Sequence, residues 1–165
     1  MAHHNSDKEV ELSMKLASQC DLGILSGQFL CQTLETLDPQ EPLICKDTDS
    51  ISHVLSFLQD NSIGSVLIVD SQGKLSGIFT ERDFLTKIFN CDFDLESTPV
   101  SEVMTASPES QFLSGTIAFA LNLMAHGGFR HIPIVDQENY PIGIISVKDV
   151  VNYIVREMNR ALDLD

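Results

Sequence analysis

The sequence predicts an α+β protein built from two copies of one small unit, and the main reason is an internal repeat. Residues 65–70, Ser-Val-Leu-Ile-Val-Asp, match residues 131–136, His-Ile-Pro-Ile-Val-Asp, and residues 77–83 match residues 143–149 in the same way. Both matches share one offset of 66 residues without a gap, which indicates a tandem duplication. Apolar residues at helical spacing precede two short apolar runs in each copy, which predicts a helix followed by a β-hairpin.

The first copy begins with a short apolar run at 42–45 and a turn-like segment. Four apolar residues then recur at the spacing of one helix face. They are Ile51, Val54, Leu55 and Leu58. Thr48 or Asp49 precedes this helix and is expected to cap it, because a side-chain oxygen there can accept a free backbone N–H.

The rest of the first copy predicts a hairpin and a second helix. Residues 66–69 have the length and composition of a buried strand, and 75–79 form a returning strand after a turn at 70–73. Thr80 stands where the N-cap of the next helix is expected. The apolar face of that helix is predicted to contain Phe84, Leu85, Ile88 and Phe89.

The second copy follows a linker at 90–100, in which Pro99 is a helix stop. Its first helix is predicted from four apolar residues and ends where His126 meets two glycines. The four residues are Ile117, Ala120, Leu121 and Met124.

A hairpin and a last helix complete the second copy. The hairpin strands are predicted at 132–135 and 142–145, and Ser146 is the expected cap of the last helix. The strand that should open this copy aligns near 109–112, which is a poor strand sequence. The two copies are therefore not expected to be equivalent.

The composition disfavours several classes of function. Ten Lys and Arg against 24 Asp and Glu give a formal charge of −14, whereas nucleic acids and anionic lipids require a basic face. No segment is long and apolar enough for a membrane span, and residues 1–10 lack the apolar core of a signal peptide. The four cysteines are scattered without a C-x-x-C pair, so we expect a reduced, cytoplasmic protein.

No catalytic or metal-binding pattern is recognisable. The sequence lacks a nucleophile elbow, an H-E-x-x-H pair, a P-loop and the Rossmann glycine fingerprint. His3 and His4 are adjacent but isolated from other ligand-type residues, which favours a solvated tail. We therefore expect neither enzymatic activity nor a metal site.

Motifs in a fixed order carry a resemblance to a known family. They are 64–70, 77–83, 100–105, 127–136 and 143–149. Through them the chain resembles a tandem pair of CBS (cystathionine β-synthase) domains, the arrangement called a Bateman module. The resemblance implies two CBS-type repeats, each a small β-sheet with two packed helices, related by a pseudo-twofold axis. It divides the chain into an N-terminal helical segment at 1–33, a first repeat at 34–94, and a second repeat with a C-terminal helix at 95–165.

The same resemblance implies a ligand-binding role for a pattern that both copies contain. In the family, a Thr or Ser and an Asp three residues later hold the ribose and phosphate of an adenosine ligand. The corresponding residues here are Thr80 with Asp83 and Ser146 with Asp149. A carboxylate can accept two hydrogen bonds from a ribose diol. The structural alternative is a capping box, because the same spacing lets two side chains cap a helix start.

Basic residues supply the phosphate contacts that the resemblance implies. Arg130 and His131 precede or begin a predicted strand, and Lys148 and Arg82 each stand just before the Asp of the pattern. The first repeat has uncharged residues at the positions of Arg130 and His131. The two sites are therefore expected to differ in their affinity for phosphate.

The resemblance places ligands in clefts between the repeats, and we expect one good site there. Backbone groups of the strand at Ile44 and Cys45 are expected beside the adenine. The other residues of this site are expected to be Thr80 and Asp83 on the ribose and Arg130, His131 and Lys148 on the phosphate. The second cleft is expected to be weak, empty or selective for a less charged ligand, and its residues are Ser146, Asp149 and Arg82.

The function that the resemblance implies is regulatory. The ligand is expected to be AMP, ADP, ATP or S-adenosylmethionine, and no cofactor is required, although Mg²⁺ can accompany ATP through its phosphates. The module is expected to form a homodimer and to act on a separate effector protein, since the chain contains no recognisable effector domain. The alternative is a ligand-free interaction module that mediates dimerisation or partner binding.

Overall fold

The computed structural model describes residues 27–161, which fall into two compact units. Gln40–Ser110 and Pro133–Ile144 form the first, called here the sheet unit. Residues 27–39, 111–132 and 145–161 belong to the second, called here the helix unit. Each unit draws on both repeats, because the division passes through the second hairpin. Most of the predicted N-terminal helical segment lies outside the described residues.

The sheet unit contains a four-stranded sheet with the order β1–β2–β3–β4. β1 (Ile44–Lys46) runs parallel to β2 (Ser65–Val69). β2 is antiparallel to β3 (Leu75–Thr80), which pairs in turn with the short β4 (Thr105–Ala106). The predicted first hairpin is therefore confirmed. Thr80 is the last residue of β3 and lies at the end of the strand, next to the candidate site.

α1 (Ile51–Asp60) joins β1 to β2 and covers the sheet. Its buried residues are Ile51, Val54 and Leu58, and Leu55 is partly buried beside them, so the predicted helix face is confirmed. Burying each such side chain contributes about 1.5–3 kcal/mol relative to leaving it exposed. The remaining buried members of this core are Cys45, Val66, Ile68, Phe79, Ile88, Val100 and Val103.

The two hairpins close with the same hydrogen bonds. β5 (His131–Val135) and β6 (Pro141–Ser146) form a two-stranded sheet. Asp70 Oδ1 accepts the backbone N–H groups two and four residues later, at 2.8 and 3.0 Å. Asp136 Oδ1 does the same at 2.9 Å for both bonds. The duplication therefore extends to the side-chain chemistry of the turns, because an Asp carboxylate can satisfy backbone donors locally.

The helix unit contains α3 (Ile117–Gly127) and α4 (Val147–Ala161), preceded by a single helical turn at Gly27–Leu30 and a 3₁₀ turn at Leu34–Leu37. α3 buries Ile117, Ala120 and Met124, and ends at Gly128, whose φ of 66° suits a residue without a side chain. None of the helices within residues 27–161 combines the length and the apolar content that crossing a bilayer requires.

The segment before β1 is tied to the second repeat by hydrogen bonds within the helix unit. Leu34 N–H donates to the carbonyl of Gly115 at 2.8 Å. Tyr153 of α4 donates its hydroxyl to Gln32 Oε1 at 2.9 Å and stacks on Phe29, with 5.6 Å between ring centroids. These contacts make the segment at 29–37 part of the packing around α3 and α4.

The prediction of the cap of α1 is wrong. Ser50 is the N-cap, and its Oγ accepts the backbone N–H of His53 at 3.2 Å. Asp49 Oδ2 instead accepts the backbone N–H of Lys46 at 2.8 Å, which closes the turn before the helix. Both Asp and Ser are good caps, so the sequence alone does not distinguish them.

The apolar face predicted after β3 is confirmed for Phe84 and Ile88, which pack into the core, and is wrong for Leu85 and Phe89. α2 (Glu81–Asp83) continues into a π-helical turn at Phe84–Ile88, closed by a 3.0 Å hydrogen bond from Phe89 N–H to the carbonyl of Phe84. A π turn spaces side chains differently from an α-helix. Ile88 is buried, whereas Leu85 and Phe89 remain 62% and 65% exposed.

The opening strand of the second copy does not form. Residues 109–112 contain no β-strand. Within residues 27–161, β5 and β6 form a two-stranded sheet, to which Gln40 adds one isolated antiparallel bridge at Ile144. The two copies are therefore unequal in strand content, in the way that the poor strand sequence indicates.

Candidate functional site

Asp83 is the centre of a hydrogen-bonded cluster at the end of β3. Its Oδ2 accepts the backbone N–H of Thr80 at 2.9 Å and the Thr80 hydroxyl at 2.7 Å. Its Oδ1 accepts the ammonium of Lys87 at 2.7 Å and the hydroxyl of Thr105 at 3.0 Å. Asp83 is only 7% exposed. Both carboxylate oxygens are therefore engaged within the protein.

The protein holds the carboxyl group of Asp83 in its charged form. Burial raises the pKa of Asp83, but hydrogen bonds from Lys87 and Thr80, the positive charge of Lys87 and the hydrogen bond from Thr105 lower it by more. The pKa of Asp83 therefore lies below its usual range. At neutral pH the Asp83 carboxylate is therefore charged, and the ammonium group of Lys87, four residues along the chain, neutralises it.

Asp149 reproduces only half of this cluster. Its Oδ2 accepts the backbone N–H and the hydroxyl of Ser146, at 2.6 and 2.7 Å. Its Oδ1 accepts no hydrogen bond from the described residues. The residue 66 positions after Lys87 is Tyr153, which is engaged with Phe29 and Gln32 instead. Asp149 is half-buried, and among the described residues its Oδ1 is open to a further donor.

A backbone hydrogen bond recurs in both copies and positions the residue before each hairpin. Glu81 N–H donates to the carbonyl of Gly64 at 3.1 Å, and Val147 N–H donates to the carbonyl of Arg130 at 3.1 Å. The second bond holds Arg130 against the start of α4, where Lys148 follows. Both cationic side chains are exposed.

The corresponding place in the first copy carries a negative charge. A Cβ built on Gly64 would lie 3.2 Å from Glu81 Oε2, so the Glu81 carboxylate covers the position that an arginine side chain has in the second copy. Two positive residues, Arg130 and Lys148, therefore lie at the start of α4, whereas the start of α2 combines the acidic Glu81 with the basic Arg82. Of the two, the second copy has the charge that suits a phosphate.

The predicted residues divide between the two units. Ile44, Cys45, Thr80, Arg82 and Asp83 belong to the sheet unit. The residues of the helix unit are Arg130, His131, Ser146, Lys148 and Asp149. Thr80 and Asp83 form the capping box that was given as the structural alternative, and Ser146 donates its N–H and hydroxyl to Asp149.

The two predicted adenine-side residues face opposite ways on β1. Ile44 is 41% exposed, whereas Cys45 is buried in the core beneath α1. Alternate residues of a strand point to opposite faces. Any contact of Cys45 with a ligand therefore falls to its backbone.

Sequence reasoning missed Lys87 and Thr105. Lys87 is four residues after Asp83, a spacing at which opposite charges on a helix meet, so its pairing was readable from the sequence. Thr105 is 22 residues from Asp83 and reaches it because β4 pairs with β3. No sequence signal marks that contact.

The CBS domain family model matches the chain twice, at residues 37–90 and 96–156, and the chain belongs to this family. An uncharacterized 17.7 kDa protein of Acidianus ambivalens is 31% identical over 107 residues, which are 65% of this chain and 63% of that protein. The CBS domain-containing protein CBSCBSPB1 of Arabidopsis thaliana is 30% identical over 147 residues, 88% of this chain and 26% of that protein. The chain thus spans less than two thirds of either relative.

Solved structures of CBS domain proteins have the same fold. The CBS domain of NE2398 is 28% identical with a TM-score of 0.69, covering 75% of this chain and 98% of that one. PAE2072 of Pyrobaculum aerophilum, complexed with AMP, is 20% identical with a TM-score of 0.68, covering 78% and 99%. The CBS pair of MJ0100, in complex with 5′-methylthioadenosine and S-adenosyl-L-methionine, is 20% identical with a TM-score of 0.66, covering 77% and 98%. At 20% identity, the last two show the fold alone.

Proposed function

We propose that this chain is a non-catalytic regulatory module that binds an adenosine nucleotide or a related adenosine ligand and acts on a separate partner protein. The observation that carries the proposal is the open carboxylate oxygen of Asp149, next to Ser146 at the start of α4. Vicinal ribose hydroxyls are hydrogen-bond donors of the kind that this oxygen accepts. The exposed side chains of Arg130 and Lys148 supply positive charge for a phosphate at the same helix start.

The ligands of related proteins support the adenosine class. The structures of PAE2072 and MJ0100 contain AMP, 5′-methylthioadenosine and S-adenosyl-L-methionine, and all three share an adenosine with a ribose diol. We therefore consider AMP, ADP, ATP and S-adenosylmethionine as ligands here, with no further cofactor. Mg²⁺ enters only with ATP, held mainly by its phosphates.

Asp149 is the readier acceptor of the two aspartates. A ligand at Asp83 has to displace Lys87 or Thr105 from Oδ1, because both oxygens are already engaged. Glu81 also places a negative charge near that helix start. We therefore rank the site of Ser146 and Asp149 above the site of Thr80 and Asp83, whereas the sequence-based expectation ranked them the other way. We also assign Arg130, His131 and Lys148 to Ser146 and Asp149, although the sequence-based expectation placed these basic residues with Thr80 and Asp83 and placed Arg82 with Ser146 and Asp149.

Isothermal titration calorimetry on nucleotide-stripped protein tests the proposal. AMP, ADP, ATP and S-adenosylmethionine are titrated into the full chain and into the Asp149→Asn variant. Loss of a charged hydrogen bond is expected to weaken binding by on the order of 1.5–3 kcal/mol, about 10–150-fold. The matched control is Asp83→Asn, for which we expect a smaller loss of affinity, provided that circular dichroism shows a folded protein.

Deoxy ligands identify the contact itself. 2′-Deoxy-AMP is expected to bind the wild type more weakly than AMP does. Asp149→Asn should reduce the affinity for 2′-deoxy-AMP only a little further, because both changes remove the same hydrogen bond. Additive losses would show that Asp149 does not hold the diol. If none of the four ligands binds at millimolar concentration, the adenosine proposal is wrong and the ligand-free interaction module replaces it.

We also propose a homodimer located in the cytoplasm. Val147, Val151 and Val155 form an exposed stripe along α4, which a second copy of the chain can cover. The three described cysteines, Cys31, Cys45 and Cys91, form no disulfide, as is usual for proteins of reducing compartments.

A further inference from the structure

A cluster of three metal-ligand side chains lies where β1 leads into α1. The side chain of Cys45, on β1, lies inside the core. Asp49 belongs to the turn that follows, and His53 lies near the start of α1. One donor atom from each residue lies within 4.8 Å of the others. We infer that these three side chains form a binding site for one Zn²⁺-like divalent cation. The site is independent of the proposed nucleotide function.

Local structure holds the three donors on one side of this junction. Asp49 N–H donates to the carbonyl of Lys46 at 3.0 Å, and Lys46 N–H donates back to Asp49 Oδ2 at 2.8 Å. Ser50 caps α1 through the backbone N–H of His53. The turn and the cap therefore fix the backbone at Asp49 and His53, while Asp49 Oδ1 accepts no hydrogen bond from the residues that the structure describes.

The donor set suits zinc rather than magnesium or calcium. Thiolate and imidazole are ligands that Zn²⁺ prefers, whereas the hard cations take oxygen ligands. Three protein ligands leave a fourth tetrahedral position for water or another group. Each donor must lie about 2.0–2.3 Å from Zn²⁺, so the exposed imidazole of His53 is expected to rotate inward while the buried Cys45 stays in place.

Binding has to remove a proton from Cys45. Burial, together with the negative charge of Asp49, raises the pKa of the Cys45 thiol to about 11. The thiol is therefore protonated in the metal-free protein at neutral pH. When Zn²⁺ binds, a zinc–sulfur bond replaces the S–H bond and the proton passes to solvent, while the cation neutralises the thiolate and the carboxylate.

Co²⁺ titration of the reduced, EDTA-treated full chain tests the inference. A bound thiolate gives a sulfur-to-cobalt charge-transfer band, and tetrahedral coordination gives intense visible bands. We expect one Co²⁺ per chain with both features and their loss on adding Zn²⁺. Cys45→Ser and His53→Gln each remove a metal ligand. Either should weaken Co²⁺ binding by more than the roughly 10–100-fold loss that follows mutation of a residue hydrogen-bonded to a ligand.

Matched variants separate this site from other donors of the chain. His126→Gln changes another exposed histidine, and Cys31→Ser with Cys91→Ser changes two exposed thiols, so these variants should bind Co²⁺ as the wild type does. His3→Gln with His4→Gln should also keep the charge-transfer band. A band that survives in folded Cys45→Ser, an affinity unchanged in His53→Gln, or no sulfur band in the wild type would each overturn the inference.

Discussion

Asp83 and Asp149 occupy equivalent positions of the duplication but have different surroundings. Each accepts two hydrogen bonds from the Thr or Ser three residues earlier. Lys87 and Thr105 then engage the second oxygen of Asp83, whereas the residue equivalent to Lys87 is Tyr153. Lys87 and Thr105 together therefore make the Asp83 carboxylate part of the internal structure, whereas Oδ1 of Asp149 has no such partner among the described residues.

Asp83 is expected to stabilise the fold in a pH-dependent way. Its pKa is lowered in the folded protein, so its contribution is complete above the unfolded pKa, about 3.9, and is lost as pH falls through the folded pKa. At neutral pH, Asp83→Asn should lower the free energy of unfolding by about 1–3 kcal/mol. Urea unfolding at pH 7 and at pH 3 measures the difference, which should shrink at the lower pH.

Two further variants check the cause of this effect. Lys87→Met should raise the pKa of Asp83 in a carboxyl NMR titration, with a small loss of stability because the Lys87 side chain is 38% exposed and screened by solvent. Asp149→Asn should change stability less than Asp83→Asn does, since it affects only one bonded oxygen. If the difference in unfolding free energy between the wild type and Asp83→Asn stayed constant from pH 7 to pH 3, this explanation would be wrong.

Among the elements, α1 shows how a local choice between equivalent caps is made. Thr48, Asp49 and Ser50 are consecutive, and each can accept a backbone N–H at a helix start. Asp49 is committed to the preceding turn through Lys46, which leaves Ser50 to cap the helix. The same division leaves Asp49 beside Cys45, where the metal site is inferred.

Ser50→Ala is expected to destabilise the protein. Loss of the cap leaves the N–H of His53 without its partner and should cost about 0.5–2 kcal/mol of unfolding free energy. Thermal and urea unfolding measure this loss. Thr48→Ala is the matched control because Thr48 is exposed and does not cap the helix, so its effect should stay within about 0.5 kcal/mol. Equal losses in the two variants would refute the assignment of the cap.

For the whole molecule, the exposed stripe on α4 is the feature that favours self-association. Val151 and Val155 are each 49% exposed, whereas Val150 and Tyr153 on the other side of the helix are buried. Ile88 is buried in the core of the sheet unit, so it does not contribute to such a surface.

Light scattering after size exclusion is expected to give about twice the chain mass of 18.3 kDa at micromolar concentration. Val151→Glu should shift the protein toward the monomer, because a charge on a buried apolar interface remains without a partner. Asn152→Glu adds the same charge at the next position and should leave the dimer intact. A wild-type mass of one chain, or equal effects of both substitutions, would contradict dimerisation through this stripe.

Features that depend on neighbouring residues were determined by the sequence itself. The two hairpins form as predicted because Asp70 and Asp136 satisfy backbone donors within their own turns. The buried face of α1 follows from apolar spacing alone. The family followed from several motifs in a fixed order and is confirmed by the match at 37–90 and 96–156. Each of these depends on chemistry within a few residues or on a long pattern.

Only the tertiary structure decided which candidate side chains are free to act. Thr105 reaches Asp83 because β4 pairs with β3, although 22 residues separate the two. Cys45 turns into the core because β1 joins the sheet with that face inward, which brings its thiol to Asp49 and His53. The physical reason is that a polar side chain takes whichever partner the packing brings within hydrogen-bond distance, and sequence spacing does not report that distance.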